Sequence, residues 1–552
     1  MADIEQIIAE QAEMESLRAN FDKLWNEVAK RVLPYSNEFN TQRTPGTKQS
    51  ELVFDSTASL ALDRFVAAIN DLATPASRRW HNLSPSHKSL EDSHEVTTYM
   101  EQVRDILFQV RYSPKAGFST NIAEVWKSLG AFGNGGLFID DYVDDEGFVH
   151  VRYNQIYLGQ LWFSENSQGR IDKVHRKFKY TARQAMEKFG DKTPEKIREC
   201  AQKTPEREFD FIHRVTPNTD RNPKRRDYKG MKFYSCYVSL DTKDVLLEGG
   251  YRTMPYVIGR YSGSLRSPYG ISIAMQALPD IKALNEMEKT IIRAGQLAVE
   301  PPLMAHEDGA LSAFRMTPGA MNYGAIDDQA RALVQPLQVG ANLPLGLELS
   351  NQRRQAINDA FLVTIFQILV EEQRQMTATE VMQRAAERGA LLGPPMGRIQ
   401  TEFLGPLIHR EIDILSNAGV FPPPPQELVD AGGEYEIEYT SELSRMQKAG
   451  DGVAIARTLE QLSPIAQLDP SVFDDYDLKA MARKLGEVNG LPAECYKSEE
   501  EKQATQDAKA QQQQAAMLLE AAPIAGKTAK DLAQAQSIAG ASPNQMLPGI
   551  IP

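Results

Sequence analysis

The sequence predicts an α+β chain that is predominantly helical, and three observations carry that prediction. Apolar residues recur at helical spacing up to about residue 130. Between about 137 and 260 the spacing changes to two. Beyond Pro268-Tyr269-Gly270, two long helical stripes flank a Gly- and Pro-containing insert.

Residues 1–33 read as one helix, because Ile7, Ile8, Leu17, Phe21, Leu24, Trp25 and Val28 fall at three- and four-residue steps. A second helix, TASLALDRFVAAINDLA, follows Asp55 and Ser56, either of which can cap it, and stops before Pro75. Helical patterns continue over 94–111 and 119–130. Leu137–Val143, a DDEG turn and Phe148–Tyr153 then predict a hairpin, with further strands at 173–179, 209–215 and 232–240. From Pro279, a favoured first-turn residue, to Val299 the stripe Ile281, Leu284, Met287, Ile291, Ala294, Ala298 predicts a helix packed along most of its length. Pro301-Pro302 ends it, an insert runs to about Asn342, and a second long helix is expected over Leu345–Val370. Glu371–Met376 is polar and out of phase, so it reads as a loop, and Thr377 with Glu380 has the spacing of a capping box that opens the next helix. That helix is expected to break at Gly393-Pro394-Pro395 and to stop near Gly419. Tyr435–Tyr439 alternates like a short strand, helices follow over about 443–489, and the end is rich in Gln and Ala.

Composition narrows the function. The 552 residues carry 61 Lys+Arg and 74 Asp+Glu, a net charge of −13, with 42% hydrophobic residues. The hydrophobic share is that of a globular chain, which argues against general disorder, and the acidic balance argues against a protein that wraps DNA. Cys200, Cys236 and Cys495 form no close pair, so neither a disulfide framework nor a thiolate zinc site is expected, and a reducing compartment fits. The acidic N-terminus lacks the pattern of a secretory signal, and the longest apolar stretch, Ala360–Val370, is too short to span a membrane.

No motif points to catalysis. Gly526-Lys527-Thr528 lacks the Gly that a phosphate-binding loop needs at the position of Ala521. Asp140, Asp141, Asp144, Asp145 and Glu146 fail the calcium-loop register and read as a solvated turn. The eight histidines contain no zinc spacing, and no nucleophile elbow exists. No cofactor, metal or catalytic residue is therefore expected. One basic cluster stands out: Arg221, Lys224, Arg225, Arg226, Lys229 and Lys232 against Asp227, a contact surface for phosphates or an acidic partner, or else a solvated loop.

The order of segments carries a resemblance. LVFDSTASLALDRF (52–65), LATPASRRWHNL (72–83), LGAFGNGGLFID (129–140), RYNQIYLGQLWFSENSQGRIDKVHRKF (152–178), PYGISIAMQALPDIKALN (268–285), MTATEVMQRAAE (376–387) and LLGPPMGRIQTEFLGPLIHREIDIL (391–415) occur in family order across about 20–440. The chain thereby resembles the portal, or head-to-tail connector, proteins of short-tailed bacteriophages.

That resemblance implies a non-enzymatic homo-oligomeric ring, usually of twelve subunits, at one capsid vertex, assembled in the host cytoplasm and retained in the virion. Double-stranded DNA would enter through it on packaging and leave on ejection. The implied regions are a wing (1–270), stem helices (271–300 and 343–370), a clip (301–342), a tunnel loop (371–379), a kinked helix and wing return (380–440), a crown (441–500) and a tail (501–552). Glu371, Glu372, Gln373, Arg374, Gln375 and Met376 would lie at the channel constriction. His306, Glu307 and Asp308 of the clip would meet the terminase large subunit and later the tail adaptor, while capsid and scaffolding proteins meet other surfaces. An acidic chain suits such a channel, because strong phosphate neutralisation would hold DNA that must slide. The competing reading is a cytoplasmic nucleic-acid-processing enzyme with an unrecognised metal site, told apart by metal- or ATP-dependent turnover.

Overall fold

The buried face of helix α1 (Ile4–Val32) explains why a single long helix opens the chain: Ile7, Met14, Trp25, Val28 and Val32 line it at helical steps. The computed structural model describes residues 4–34, 39, 53–90, 93–144, 146–264, 267–299, 303–305, 329, 334–336, 343–364, 393–439, 452, 454–464, 476–488 and 508. The α1 stripe differs from its sequence reading, since Leu17 is exposed and Arg18 is buried. The Arg18 guanidinium donates to the carbonyls of Leu158 (3.1 Å) and Leu161 (2.9 Å), pairs with Asp22 at 2.8 Å and lies 3.9 Å from the Trp162 ring. A charge met by two carbonyls, a carboxylate and a ring can occupy a position that apolar periodicity assigns elsewhere.

Helix α2 (Thr57–Ala73), strand β1 (His81–Pro85), α3 (His94–Arg111) and α4 (Phe118–Phe132) follow. For α2 the capping side chain is Asp55, whose Oδ1 accepts from Thr57 N at 2.7 Å, while Ser56 makes no cap bond. The expected hairpin is β2 (Asn134–Val143) against β3 (Val149–Ile156), and β9 (Tyr256–Arg260) pairs on the other side of β2, all antiparallel. An antiparallel meander of β4 (Leu161–Glu165), β5 (Ile171–Thr181), β6 (Glu208–Pro217), β7 (Phe233–Ser239) and β8 (Asp244–Tyr251) makes the five-stranded sheet, in the order β4-β5-β6-β7-β8. Between β5 and β6 lie α5 (Ala182–Phe189), opened by a Thr181–Gln184 capping box, and α6 (Glu195–Lys203). Alternation sorts the sheet's faces: Ile212, Cys236 and Val238 cluster with Ile7, whereas Phe211, Phe209 and Tyr237 pack with Ala185, Phe189 and Ile197.

After the short pair β10 (Ser262–Ser264) and β11 (Ser267–Ile271), helix α7 runs from Ile273 to Val299. It therefore starts before Pro279, which lies inside it. The true cap is buried Ser272, whose Oγ accepts from Met275 N at 2.9 Å, and burial of Ile273, Ala274, Met275 and Leu278 offsets the donor that proline lacks. Strands β12 (Leu303–Ala305) and β13 (Val334–Pro336) pair antiparallel. Helix α8 (Leu343–Ala360) is interrupted at Phe361 and Leu362, residues 363–364 are helical again, and the expected remainder to Val370 lies outside the described residues. Leu362 takes φ +60° and its N–H bonds the Asp359 carbonyl, while Phe361 and Val363 are buried on either side. A leucine is held in this left-handed conformation by the burial of its neighbours.

Residues 393–399 are helical, a π segment covers Gln400–Leu404, and α9 (Gly405–Asn417) continues from it, while the helix expected to break at Gly393-Pro394-Pro395 lies outside the described residues on its N-terminal side. Short helix α10 (Gln426–Asp430), strand β14 (Tyr435–Tyr439), a helical stretch over 454–464 and α11 (Leu478–Val488) complete the described elements. Helix α9 is fastened to strands β2 and β3 and to the turn before β9 by Arg410, Glu411 and Asp413. Arg410 Nε donates to the Ile139 carbonyl at 3.2 Å, and Asp413 accepts from Thr253 at 2.8 Å. Glu411 takes Arg111 in a two-point ion pair (2.9 and 2.5 Å) and the Tyr153 hydroxyl at 2.5 Å. His81 Nε2 accepts from Arg111 at 3.1 Å, which leaves its proton on Nδ1.

The chain divides into two compact units. One comprises 1–82, 103–422 and 437–450, and holds both sheets just described, α7 and α8. The other comprises 83–102, 423–436 and 451–552. Within the second, Leu83, Val96, Met100 and Leu428 are buried, Ser93 Oγ donates to Glu427 at 2.7 Å, and Ser86 N donates to the Glu434 carbonyl.

Removing one partner of the fully buried pair strands a charge. Arg111→Ala is expected to cost about 3–5 kcal/mol, and Arg111→Met with Glu411→Leu together less than either change alone, as read by urea denaturation. Burial first, and then the neighbouring cations, hold His81 and His213 neutral well below the ordinary histidine range. The unfolded chain takes up these protons below about pH 6.5 and the fold does not. Stability is thus complete above that pH and falls below it, by about 1.4 kcal/mol per pH unit for each proton. Melting curves at stepped pH, with His213→Gln as the comparison, check this slope.

Candidate functional site

The described residues that rise above ordinary packing are the α7–α8 pair, with the root that holds it and the insert that it carries. The helices run antiparallel: Asp280 meets Arg353 at 2.6 Å, Glu288 meets Arg354 at 2.6 Å, and Gly346 lies against Ile291. A Cβ at Gly346 would fall 3.2 Å from Ile291 Cγ1, so glycine sets how closely the backbones approach here. At 1.5 Å per residue α7 is about 40 Å long and α8 about 27 Å.

Polarity changes along the pair. Ile281, Leu284, Asn285 and Glu288 of α7 are buried, but Met287, Ile291 and Ala294 are only half-buried and Ala298 is exposed. The far end also exposes Ile292, Leu297 and Val299, opposite exposed Leu345, Leu347 and Leu349 at the start of α8. The stripe read as packed along most of its length is therefore covered over its first half and open over its second.

A polar knot closes the root. Arg354 of α8 reaches Asp55 through Nε (2.9 Å) and Glu288 of α7 through Nη2. Asn285 Oδ1 accepts from the backbone N–H groups of Phe54 (2.8 Å) and Asp55 (3.2 Å), and its Nδ2 donates to the Ile281 carbonyl. Burial acts to raise the Asp55 carboxyl, but hydrogen bonds from Thr57 and Arg354 prevail and hold it below its ordinary range. One guanidinium and one carboxamide thus tie the start of α2 to both long helices. Sequence reasoning did not find this knot. Its signal was Asn285 and Glu288 sitting one and four positions after Leu284 in an otherwise apolar stripe.

At the far end the pairing of Leu303 with Pro336 and Ala305 with Val334 brings the two ends of the insert together. His306, Glu307 and Asp308 follow β12 directly in sequence and lie outside the described residues, as do Glu371, Glu372, Gln373, Arg374, Gln375 and Met376 and the Thr377–Glu380 capping box.

The basic cluster is described in full. It forms the β6–β7 loop, where Arg221, Lys224, Arg225, Arg226, Lys229 and Lys232 are all exposed. Arg225 pairs with Asp227 at 2.5 Å and Arg221 donates to the Gly230 carbonyl at 3.0 Å. The acidic hairpin turn is held from within. Asp144 Oδ1 accepts from the N–H groups of Glu146 and Phe148, and its Oδ2 bonds His150 at 2.8 Å, the main reason its carboxyl titrates down at about 2. Among the described residues no group of His, Cys, Asp and Glu is arranged to hold a metal ion, and no helix is long and apolar enough to cross a membrane.

Known proteins resemble this chain over most of its length. The family model described as "Bacteriophage head to tail connecting protein" matches residues 5–496. A protein of Bordetella phage BPP-1 named "Probable portal protein" is 26% identical over 525 residues, covering 92% of this chain and 93% of its own. The "Portal protein" of Salmonella phage epsilon15 is 24% identical over 540 residues, covering 97% and 96%.

Asn285→Ala removes the acceptor for two backbone donors at the root. It is expected to cost about 1–3 kcal/mol in urea denaturation, with faster hydrogen exchange at the Phe54 and Asp55 amides than at Phe211 in the sheet.

Proposed function

Because the chain belongs to the bacteriophage head-to-tail connecting protein family, the portal proteins, we propose that copies of it close into a ring of about a dozen subunits around a channel for double-stranded DNA. The observation that carries this reading is the change of polarity along α7 and α8. A helix pair closed at its root by Arg354, yet exposing Ile292, Leu297, Leu345 and Leu349 beyond it, leaves apolar surface that a neighbouring copy would cover. A heterologous contact of this kind repeats around an axis and closes without leaving an open edge.

In this reading α7 and α8 are the stem, the insert joined at β12–β13 is the clip, and residues 371–379 are the tunnel loop. The stem and the start of the tunnel loop carry little net charge, since 271–300 and 343–376 each hold three basic and four acidic residues. Weak phosphate neutralisation lets duplex DNA slide. Arg374, flanked by Gln373 and Gln375, touches the backbone transiently at the constriction. His306, Glu307 and Asp308 face the packaging terminase and then the tail adaptor. The ring itself hydrolyses nothing, and force comes from a separate ATPase.

Electron microscopy of the purified protein tests the ring: particles with about twelvefold symmetry and a hole wide enough for duplex DNA (~20 Å) are expected. A monomer in every salt condition, with metal-dependent nuclease activity, would sink the reading. Ile292→Ser with Leu349→Ser should leave the monomer's melting temperature within a few degrees and abolish rings, because exposed positions contribute little to the isolated fold. Arg374→Ala should assemble normally and alter DNA retention or packaging; no change in either removes Arg374 from the constriction. Alanine at His306, Glu307 and Asp308 should keep the ring and weaken terminase docking in a pull-down.

A further inference from the structure

The loop between β6 and β7 is built as a platform. Asn218 spans its base, with its N–H donating to the Lys232 carbonyl (2.9 Å) and its Nδ2 to those of Lys229 and Met231 (3.3 and 3.1 Å). Asn222 N donates to the Lys229 carbonyl and Arg225 N to that of Asn222, at 2.9 and 3.0 Å. The chain then crosses itself so closely that a Cβ on Gly230 would fall 1.9 Å from the Arg225 carbonyl oxygen, which only glycine permits. The loop backbone spends these hydrogen bonds on itself and leaves its six basic side chains exposed.

What it displays is mostly positive charge, with Asp220 exposed at its start against six basic residues. Arg225 cancels Asp227, the acidic residue within the cluster, and Arg221 is tied to the Gly230 carbonyl. Lys224, Arg226, Lys229 and Lys232 remain exposed around them. The loop's larger apolar side chains, Tyr228 and Met231, are half-buried. An acidic protein partner would be met by an interface with an apolar core rich in aromatics and poor in lysine. A phosphate backbone needs cations on a fixed support and no apolar contact.

We infer that the 218–232 loop is a sequence-independent contact for the phosphate backbone of duplex DNA, on the five-stranded sheet and distinct in sequence from the constriction segment. It needs neither the ring nor the channel, so it stands or falls separately from the conduit reading. In a chain of net charge −13 the contact is weak and salt-sensitive, a touch rather than a clamp.

The test is fluorescence anisotropy of the full chain with a labelled mixed-sequence duplex of about 30 base pairs, from about 50 to 200 mM salt. Lys224→Ala, Arg226→Ala, Lys229→Ala and Lys232→Ala are combined in one variant. Binding should weaken by about tenfold or more at the lowest salt, and the slope of log affinity against log salt should flatten by roughly 3 to 4, near 0.9 for each lost contact. Arginine at the three lysines should retain binding, since charge and not shape is read. Arg226→Glu alone, at an exposed site, gives a smaller loss in the same direction if the fourfold variant melts early. Wild-type protein that ignores the duplex, or a variant with unchanged slope, overturns the assignment. So does a polyglutamate chain of similar length that binds through these residues while the duplex does not, which would make the loop a protein-docking surface.

Discussion

The ion pair between Arg111 and Glu411 is the constraint on which the larger unit depends. Both side chains are buried, so each would be intolerable without the other, and the demand for a partner joins segments 300 residues apart. Tyr153 and His81 complete the shell, which brings the end of α3, strand β3 and helix α9 to one point. Burial opposes the charge on Arg111, but the Glu411 carboxylate outweighs it and the guanidinium stays protonated. Aromatic rings close around the pair, with Trp80, Phe108 and Phe118 within 6 Å of the Arg111 guanidinium carbon, and so exclude the water that would weaken it.

A second polar knot does for the long helices what this pair does for the lobe. Arg354, Glu288, Asp55 and Asn285 hold α7, α8 and the start of α2 together, and beyond that root the helices project apolar surface. The division makes physical sense: a fixed root keeps the helices in register, and an uncovered far half leaves them able to join a neighbour. The π segment at Gln400–Leu404 is part of the same economy, because it turns Glu402 onto Arg260 (2.7 and 2.8 Å), which also pairs with Glu165.

Much of this was legible in the sequence. Helices α1 to α4, the β2–β3 hairpin and strands β5, β6 and β7 of the meander lie where periodicity places them, since a two- or 3.6-residue repeat is a local property that burial of one face enforces, whereas β4 and β8 were not read from the sequence. Where reading failed, a single residue was given a role that tertiary contact reassigns. Pro279 looked like a helix start, but Ser272 is the cap because its hydroxyl lies buried beside Met275 N. Apolar residues run on past Ala360, yet burial of Phe361 and Val363 turns Leu362 left-handed and interrupts the helical path there. Of the candidate site, the basic loop was visible as charge, but its rigidity, which comes from Asn218 and Gly230, was not.

The sequence alone determined the fold class, the two long helices with their insert, the absence of a recognisable catalytic motif, and, through the order of its segments, the portal family. Tertiary structure alone decided which polar residues are partners: Arg111 with Glu411, Arg354 with Asp55 and Glu288, and Arg18 with the Leu158 and Leu161 carbonyls. The reason is physical. Periodicity records how each segment meets an apolar core, which any core satisfies, whereas a buried charge requires one particular partner at about 3 Å, and distance along the chain says nothing of who that is.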